Sequence, residues 1–184
     1  MASADPIPTP SAHTPEGGVL LGSDDSEHRM VLFEDPQCPY CRRFEETSGE
    51  VLKTAREAGH LSVEYRMRCF LGVESVRADN ALALAAEAAR FDELRTALFA
   101  NQPEEGSGGF TTEDLQALGQ LVGLSSPDYV SGVRDGRYFA WVLKVEAAFQ
   151  EEDPQGTPAA WLDGQPVDPR VLNDPRALAA RLQS

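Results

Sequence analysis

Two cysteines separated by two residues, Cys38 and Cys41, are the side chains of this sequence best suited to chemistry. The apolar run at residues 30–33 is typical of a buried strand, and Pro39 suits the first turn of a helix. Cys38 is therefore expected at a helix N-terminus, where free backbone N–H groups and the positive end of the helix dipole favour an anion. The spacing predicts that this sulfur is held as a thiolate.

The chemistry of such a pair is thiol–disulfide exchange. Cysteines in this setting have pKa values of about 3.5 to 7.5 instead of about 8.5, so Cys38 would be anionic near neutral pH and a good leaving group. Cys41, one helical turn further in and shielded, is placed to resolve a mixed disulfide on Cys38. Pro39 and Tyr40 are expected to fix the turn between the two sulfurs and to tune their redox potential.

Two other interpretations of the pair stay open at this point. The pair is half of a zinc site, but tetrahedral zinc needs two more ligands. Apart from carboxylates, the remaining candidates form no second close pair; they are Cys69, His13, His28 and His60. The two sulfurs would alternatively be inert core cysteines. We expect a redox pair with no metal and no cofactor, and Cys69 packed as a small core residue.

Composition limits the class of protein. A chain of 184 residues is near the usual size of one domain, and three cysteines are too few for a scaffold of several disulfides. Thirty acidic against 16 basic residues give a net charge of -14, which disfavours nucleic acid and anionic lipid as partners. No stretch approaches the roughly 18 apolar residues of a membrane span. These features predict a soluble chain.

Residues 1–18 are rich in Pro, Ser, Thr, Ala and Gly and lack apolar periodicity, which predicts a flexible linker. The apolar run at residues 18–21 is too short for a secretory signal, whose apolar core has about 7 to 15 residues. Met1 and Ala2 ahead of such a linker look like an expression start. We therefore expect that a leader or anchor has been removed.

A helix and a strand are predicted after the cysteine pair. Residues 38–58 have helical spacing that ends at Gly59, and residues 61–67 alternate between apolar and polar as a strand with one buried face does. Gly49 lies inside the helix, where glycine costs about 1 kcal/mol relative to alanine, and is expected to mark a kink.

About four helices are predicted next, the first of which carries an apolar stripe from Leu84 to Leu98. Extended structure returns at residues 159–162, turns at residues 163–164 and is followed by a terminal helix from Pro175. The predicted order is strand, helix, strand, helical block, hairpin and helix, which is an α/β fold.

A second signal, Gly156-Thr157-Pro158, directly precedes the third strand region. Together with the phrase at residues 33–41 and the order of elements, it resembles the thioredoxin superfamily, and the long helical block resembles its DsbA-like disulfide oxidoreductases. The resemblance covers residues 19–182. It implies a thioredoxin fold with a helical insertion between the second strand and the cis-proline strand. The thioredoxin-like domain would comprise residues 19–71 and 154–184, and the inserted helical domain residues 72–153.

The resemblance also implies roles for individual residues. Pro158 should follow a cis peptide bond and lie against the cysteine pair, leaving the backbone of Thr157 free to pair with a substrate peptide; a simple turn proline is the alternative. Many relatives carry a buried acid six residues before the first cysteine, where this sequence has Leu32. Glu34, on the same strand face, would take its place, unless it is a solvated residue at the strand end.

These features together favour an enzyme that oxidises cysteine pairs in secreted or cell-envelope proteins. Its substrates would be reduced or unfolded proteins, and by resemblance a membrane-bound redox partner would reoxidise it outside the cytoplasm. We expect a monomer. Isomerase function is disfavoured, because relatives that shuffle disulfides as dimers carry a separate dimerisation domain, for which residues 1–28 are too short. An envelope or cytosolic reductase and a non-catalytic peptide-binding module are the alternatives.

Overall fold

A mixed β-sheet forms the centre of the computed structural model, which describes residues 7–152 and 154–183. Within these residues five strands have the order β1-β3-β2-β4-β5, and only the β2–β3 pair is parallel. The strands are β1 (Val19–Leu21), β2 (His28–Glu34), β3 (Leu61–Met67), β4 (Ala159–Leu162) and β5 (Gln165–Pro166). The sequence did not predict β1, which pairs with β3 at one edge.

Helices cover the sheet on both sides of the site-bearing strand β2. They are α1 (Pro39–Glu57), α2 (Val73–Glu87), α3 (Phe91–Ala100), α4 (Thr112–Leu121), α5 (Pro127–Asp135), α6 (Phe139–Glu151), α7 (Pro169–Leu172) and α8 (Pro175–Arg181). Five of these described helices lie between β3 and β4, so the prediction of about four was wrong. The predicted stripe from Leu84 to Leu98 is split between α2 and α3, because Ala89 takes a positive φ of 54° and ends the first helix.

Strand β2 positions the cysteine pair. Met30 and Leu32 are fully buried, and β2 is paired on both sides, with β3 and with β4. Its register places Phe33 opposite Ala159, so the carboxyl end of β2 lies beside the start of β4. Helix α1 begins five residues after the end of β2, at Pro39. The sheet therefore brings residues 35–41 next to residues 157–159, although they are far apart in the sequence.

The predicted hairpin at residues 163–164 is present. Strands β4 and β5 are antiparallel, and Leu162 pairs with Gln165 across a two-residue turn. Asp163 and Gly164 both take positive φ angles, of 52° and 77°. Turns of this hand match the twist of the two strands that they join, which explains why Asp-Gly predicts them well.

Part of the predicted linker has tertiary contacts. The Thr14 hydroxyl donates to Glu64 Oε1 at 2.9 Å, and the His13 ring packs edge to face against Trp141 with centroids 4.4 Å apart. His13 also lines a cavity of about 20 Å³ with Asp79 of α2, which we call the Asp79 cavity. Such a volume holds about one water molecule. Residues 1–6 of the predicted linker lie outside the described residues.

One cluster of buried apolar side chains extends from the sheet into helices α2–α6. The sheet and the helical block therefore share a core, and the division into two domains stays a prediction. None of the helices within the described ranges is long and apolar enough to cross a membrane.

Candidate active site

Cys38 occupies the residue directly before helix α1 and is 5% exposed. Its thiol donates to the carbonyl of Thr157, with 3.3 Å between Sγ and O. A hydrogen bond from the Cys41 thiol lowers the pKa of Cys38 to about 6, against the opposing effect of burial, and the Thr157 side chain and the backbone N–H groups of Cys41 and Tyr40 contribute by stabilising the thiolate. The start of the helix therefore stabilises a thiolate at this position, as the sequence predicts.

Cys41 lies one turn along α1 and is fully buried. Burial, the hydrogen bond to Cys38 and the nearby negative charge of Glu34 raise its pKa well above the usual range of a thiol. Both cysteines are free thiols in this structure. The site thus holds one sulfur that ionises readily beside a second sulfur that holds its proton.

Thr157 and Pro158 directly precede β4, and the Thr157 carbonyl contacts Cys38. The peptide bond between them is cis. Thr157 Oγ1 is buried, and among residues 7–152 and 154–183 it has no hydrogen-bond partner in the thiol form. The Thr157 carbonyl, in contrast, accepts from the neutral Cys38 thiol. Ionisation of Cys38 therefore removes the donor from this carbonyl and creates an acceptor for the hydroxyl.

Asp35 holds the loop between β2 and α1. Its buried carboxyl accepts from the backbone N–H of Gln37 at 2.9 Å, from that of Leu71 at 3.2 Å and from the Ser75 hydroxyl at 2.5 Å. Burial raises the pKa of Asp35 to about 6, and the charge of Cys38 contributes. Sequence reasoning treated Asp35 only as a residue that ends the strand, because its partners on the β3–α2 loop and on α2 are about 40 residues away.

The segment after α3 supports the same loop from outside. Gln102 Nε2 donates to the carbonyls of Pro36 at 2.7 Å and Cys38 at 3.0 Å. The backbone N–H of Gly106 donates to Gln37 Oε1 at 3.0 Å. The sequence gave no signal for the role of Gln102.

Glu34 lies at the end of β2 and is fully buried, so the alternative of a solvated side chain is wrong. Arg95 of α3 binds its carboxylate through two contacts, Nε to Oε2 at 2.6 Å and Nη2 to Oε1 at 2.7 Å. Arg95 Nη1 also donates to Glu45 of α1 at 2.7 Å. We call Glu34, Arg95 and Glu45 the Arg95 cluster. The sequence gave no signal for Arg95, because its partner Glu34 is 61 residues away.

Tyr40 of the motif points outward and is 68% exposed. Phe70, which is 42% exposed, lies on the loop whose Leu71 packs against the cysteine pair. Pro39 takes the first position of α1, where its missing N–H leaves no intrahelical bond unmade. Tyr40 is therefore exposed to solvent, whereas the neighbouring sulfur of Cys38 is almost covered.

The other candidates for zinc ligands lie elsewhere. Cys69 is buried, burial raises the pKa of its thiol, and its backbone N–H donates to Glu146 at 3.0 Å. His28 contacts Asp163, and His60 contacts Glu27. Within the ranges that the structure describes, no group of three or more His, Cys, Asp and Glu side chains is arranged to hold a metal ion.

Comparisons with known proteins agree with this fold. A family model described as thioredoxin matches residues 14–178. The serine/threonine-protein kinase PknE of Mycobacterium tuberculosis (strain H37Rv) is 27% identical over an alignment of 167 residues that covers 82% of this chain and 29% of the kinase. The chain thus spans less than a third of the length of the curated relatives it matches.

Several solved structures are similar. The reduced disulfide bond oxidoreductase DsbG of Mycobacterium tuberculosis has a TM-score of 0.80 at 22% identity, covering 92% of this chain and 88% of that chain. BdbD of Bacillus subtilis has a TM-score of 0.79 at 20% identity, covering 95% and 96%. MdbA of Actinomyces oris, a thiol-disulfide oxidoreductase, has a TM-score of 0.80 at 20% identity, covering 95% and 90%. At these identities the likeness establishes the fold.

Proposed function

Since the chain belongs to the thioredoxin family, we propose that it is a thiol–disulfide oxidoreductase whose redox pair is Cys38 and Cys41. The observation that carries the proposal is the contrast between the two sulfurs: the pKa of Cys38 is lowered to about 6, whereas that of Cys41 is raised. Exchange needs this contrast, because the outer sulfur must accept and release a partner while the inner one waits in its thiol form.

In the oxidising direction, a substrate thiolate attacks Cys38 Sγ of the Cys38–Cys41 disulfide. A bond forms between the substrate sulfur and Cys38, the bond to Cys41 breaks, and Cys41 leaves with the electron pair and takes up a proton. A second substrate thiolate then attacks the first substrate sulfur, which closes the substrate disulfide and releases Cys38 as a thiolate. The low pKa of Cys38 makes it a good leaving group in this last step.

Thr157 and Pro158 would hold the substrate during these steps. Once Cys38 is ionised or bonded to sulfur, the Thr157 carbonyl has lost the thiol donor that it binds at 3.3 Å in this structure. A backbone N–H of an extended substrate peptide supplies a replacement, as in other cases where a peptide adds to a strand edge. Pro158 has no N–H of its own and so leaves this edge open to the peptide.

We place the reaction in the oxidising direction. A stabilised thiolate favours the reduced enzyme, by about 1.4 kcal/mol for each unit by which the pKa of Cys38 is lowered, and so makes the disulfide a stronger oxidant. The proposal includes reduced secreted or cell-envelope proteins as substrates and a membrane-bound partner as reoxidant. The names of the similar DsbG and MdbA proteins, which describe disulfide and thiol–disulfide oxidoreductases, support this class of reaction.

The test combines a redox titration with trapping. We expect Cys38→Ser to abolish exchange and Cys41→Ser to accumulate a mixed disulfide with substrate, while alkylation of Cys38 should rise with a midpoint near pH 6. Cys69→Ala is the matched control, because Cys69 is a buried free thiol outside the pair. A strongly reducing potential would reverse the proposed direction, and exchange that survives Cys38→Ser would refute the redox assignment.

A further inference from the structure

Arg95 is a fully buried cation beneath the redox pair. Its side chain is 2% exposed, and its guanidinium lies over the rings of Tyr65 and Phe99, with 4.7 Å and 5.2 Å to the two ring centroids. Two of its nitrogens bind Glu34 and a third binds Glu45. Planar packing and three charge-assisted hydrogen bonds fix the guanidinium in one orientation.

The Arg95 cluster acts on Cys41 through Glu34. Cys41 and Glu45 lie four residues apart on α1 and therefore on the same face of the helix, and Arg95 joins Glu45 to Glu34. The charge of Glu34 is also one of the causes that raise the pKa of Cys41. Phe99, whose ring Arg95 packs against, also belongs to the small apolar cluster around Cys38 and Cys41. Arg95 therefore contacts both the acid and the wall of the cysteine site without contacting a sulfur.

We propose that Arg95 and Glu45 are positioning residues for the exchange reaction, because together they set how readily Glu34 takes the proton that Cys41 must lose. This inference rests on the proposed function. When Cys41 Sγ attacks a mixed disulfide on Cys38, its proton passes to the Glu34 carboxylate, the Cys38–Cys41 bond forms, and the partner sulfur leaves as a thiolate. In the opposite direction the proton returns from Glu34 to the departing Cys41.

Two carboxylates, those of Glu34 and Glu45, share the Arg95 guanidinium, and this sharing determines how strongly Glu34 holds a proton. Arg95 favours the ionised form of Glu34, whereas burial and the negative charge of Glu45 oppose it, and the balance raises the pKa of Glu34. Arginine does not give up its proton in proteins, so Arg95 acts through its charge and geometry alone. The groups that face Glu34 from the packed elements are Arg95 and Asp92 of α3, Glu45 and Cys41 of α1, and Tyr65 of β3.

The Glu45 end of the cluster is open to solvent. Glu45 lines a polar cavity of about 390 Å³ together with Lys53, Arg56 and Asp92, and its side chain is 16% exposed. The Thr96 hydroxyl donates to its second carboxylate oxygen at 3.0 Å. Glu45 is therefore the member of the cluster that can be neutralised without opening the core.

The test is the pH dependence of the second of two steps when the reduced protein reacts with a chromogenic aromatic disulfide. The first thiol is released when Cys38 attacks, and the second when Cys41 resolves the mixed disulfide; Cys41→Ser should show only the first. We expect Glu45→Gln to shift the midpoint of the second step down by up to about one pH unit, because Arg95 then serves Glu34 alone. Arg95→Met should shift it up, and Arg95→Lys should lie between Arg95→Met and the unchanged protein.

Lys53→Met is the matched control. Lys53 lines the same cavity, and its replacement also removes a cation, but within the described residues it forms no ion pair or hydrogen bond with Glu34, Glu45 or Asp92. The control variant should show the same pH midpoint for the second step as the unchanged protein. If Glu45→Gln and Arg95→Lys both leave the midpoint of the second step unmoved while exchange continues, the positioning role is refuted and the redox pair is not. If Arg95→Met does not fold, Glu45→Gln and Arg95→Lys still test the positioning role.

Discussion

The Arg95 cluster and the Asp79 cavity bury titratable groups in opposite ways. In the cluster, Glu34 and Arg95 are both fully buried and meet at 2.6 Å and 2.7 Å. In the cavity, Asp79 is 4% exposed, and neither its carboxyl oxygens nor His13 Nδ1 has a hydrogen-bond partner within the described part of the chain. In the Arg95 cluster the charged groups are paired, whereas in the Asp79 cavity burial favours the neutral form of each group.

The pKa directions express this difference. Burial lowers the pKa of His13 to about 4, so this ring is neutral near pH 7, and raises the pKa of Asp79 well above its usual range, which favours the neutral carboxyl. A buried charge without a partner is so unfavourable that the group changes its protonation state instead. Pairing leaves a charge that can act on a neighbouring sulfur, whereas neutralisation leaves only a dependence of stability on pH.

Removing the cation from the cluster should have the largest effect on stability. Arg95→Met leaves the Glu34 carboxylate buried without its partner, which typically lowers the free energy of unfolding by about 3–5 kcal/mol. Urea unfolding at pH 7 measures the loss. The double variant Glu34→Gln, Arg95→Met should lose less, since it leaves no buried charge at Glu34, and an equal or larger loss would contradict this account.

Asp79→Asn should have the opposite sign. The folded-state pKa of Asp79 lies above the unfolded value of about 3.9, so the folded protein holds more protons and its stability falls as pH rises above about 4. We expect the amide to raise the free energy of unfolding at pH 7, by about 1.4 kcal/mol for each unit by which the folded-state pKa exceeds the unfolded one. The gain should vanish below about pH 4; a gain that is equal at all pH values would exclude titration as its cause.

His13→Phe tests how the other group of the Asp79 cavity, His13, affects stability below pH 7. The folded-state pKa of about 4 lies below the unfolded value, so the unfolded chain takes up the proton first and stability falls as pH drops from about 6.5 towards 4. Phenylalanine keeps a ring against Trp141 and removes this loss, which we estimate at about 1 kcal/mol at pH 5, allowing for partial exposure. Thermal unfolding at pH 5 and pH 8 should show the gain only at pH 5.

Gly49→Ala should have the smallest effect on stability, although it would displace the Glu45 carboxylate of the Arg95 cluster. A Cβ at this position would lie 2.6 Å from Glu45 Oε2, so the lack of a side chain at Gly49 leaves room for that carboxylate. The helix gains up to about 1 kcal/mol from alanine, partly offset by the displaced ion pair, and we expect a net change below about 1 kcal/mol. Chemical unfolding measures it, with Ala55→Gly as a reference for helix propensity; a loss of several kcal/mol would mean that the glycine has another role.

Local pattern predicted the parts of this molecule that adjacent residues determine. Cys38 before a proline-initiated helix and the Asp163-Gly164 turn each depend on a few neighbouring residues. The alternation of residues 61–67 predicted strand β3, but the expectation of a single buried face was wrong, because Ser62, Glu64 and Arg66 are buried as well. The break at Ala89 was not predictable in this way, because alanine favours helix and the tertiary packing of α2 and α3 overrides that preference.

The residues that bind Glu34 and Asp35 at the active site could not be predicted from the sequence either. Glu34 and Arg95 are 61 residues apart, and Asp35 and Ser75 are 40 apart. No spacing rule within a helix or strand relates residues at such separations, and a buried arginine has the same letter as an exposed one. The charged side chain that pairs with Glu34 became identifiable only when α3 was placed against the end of β2.

Gln102 makes the redox motif a shared product of two parts of the chain. Its amide binds the carbonyls of Pro36 and Cys38, so the geometry of the motif depends on the connection that follows α3. A chimaera that replaced residues 72–153 with a short connection would keep the four letters Cys-Pro-Tyr-Cys and lose this clamp. The reactivity of the pair is thus not transplantable with the motif, and engineering of such proteins has to move the helical block and the cysteines as one unit.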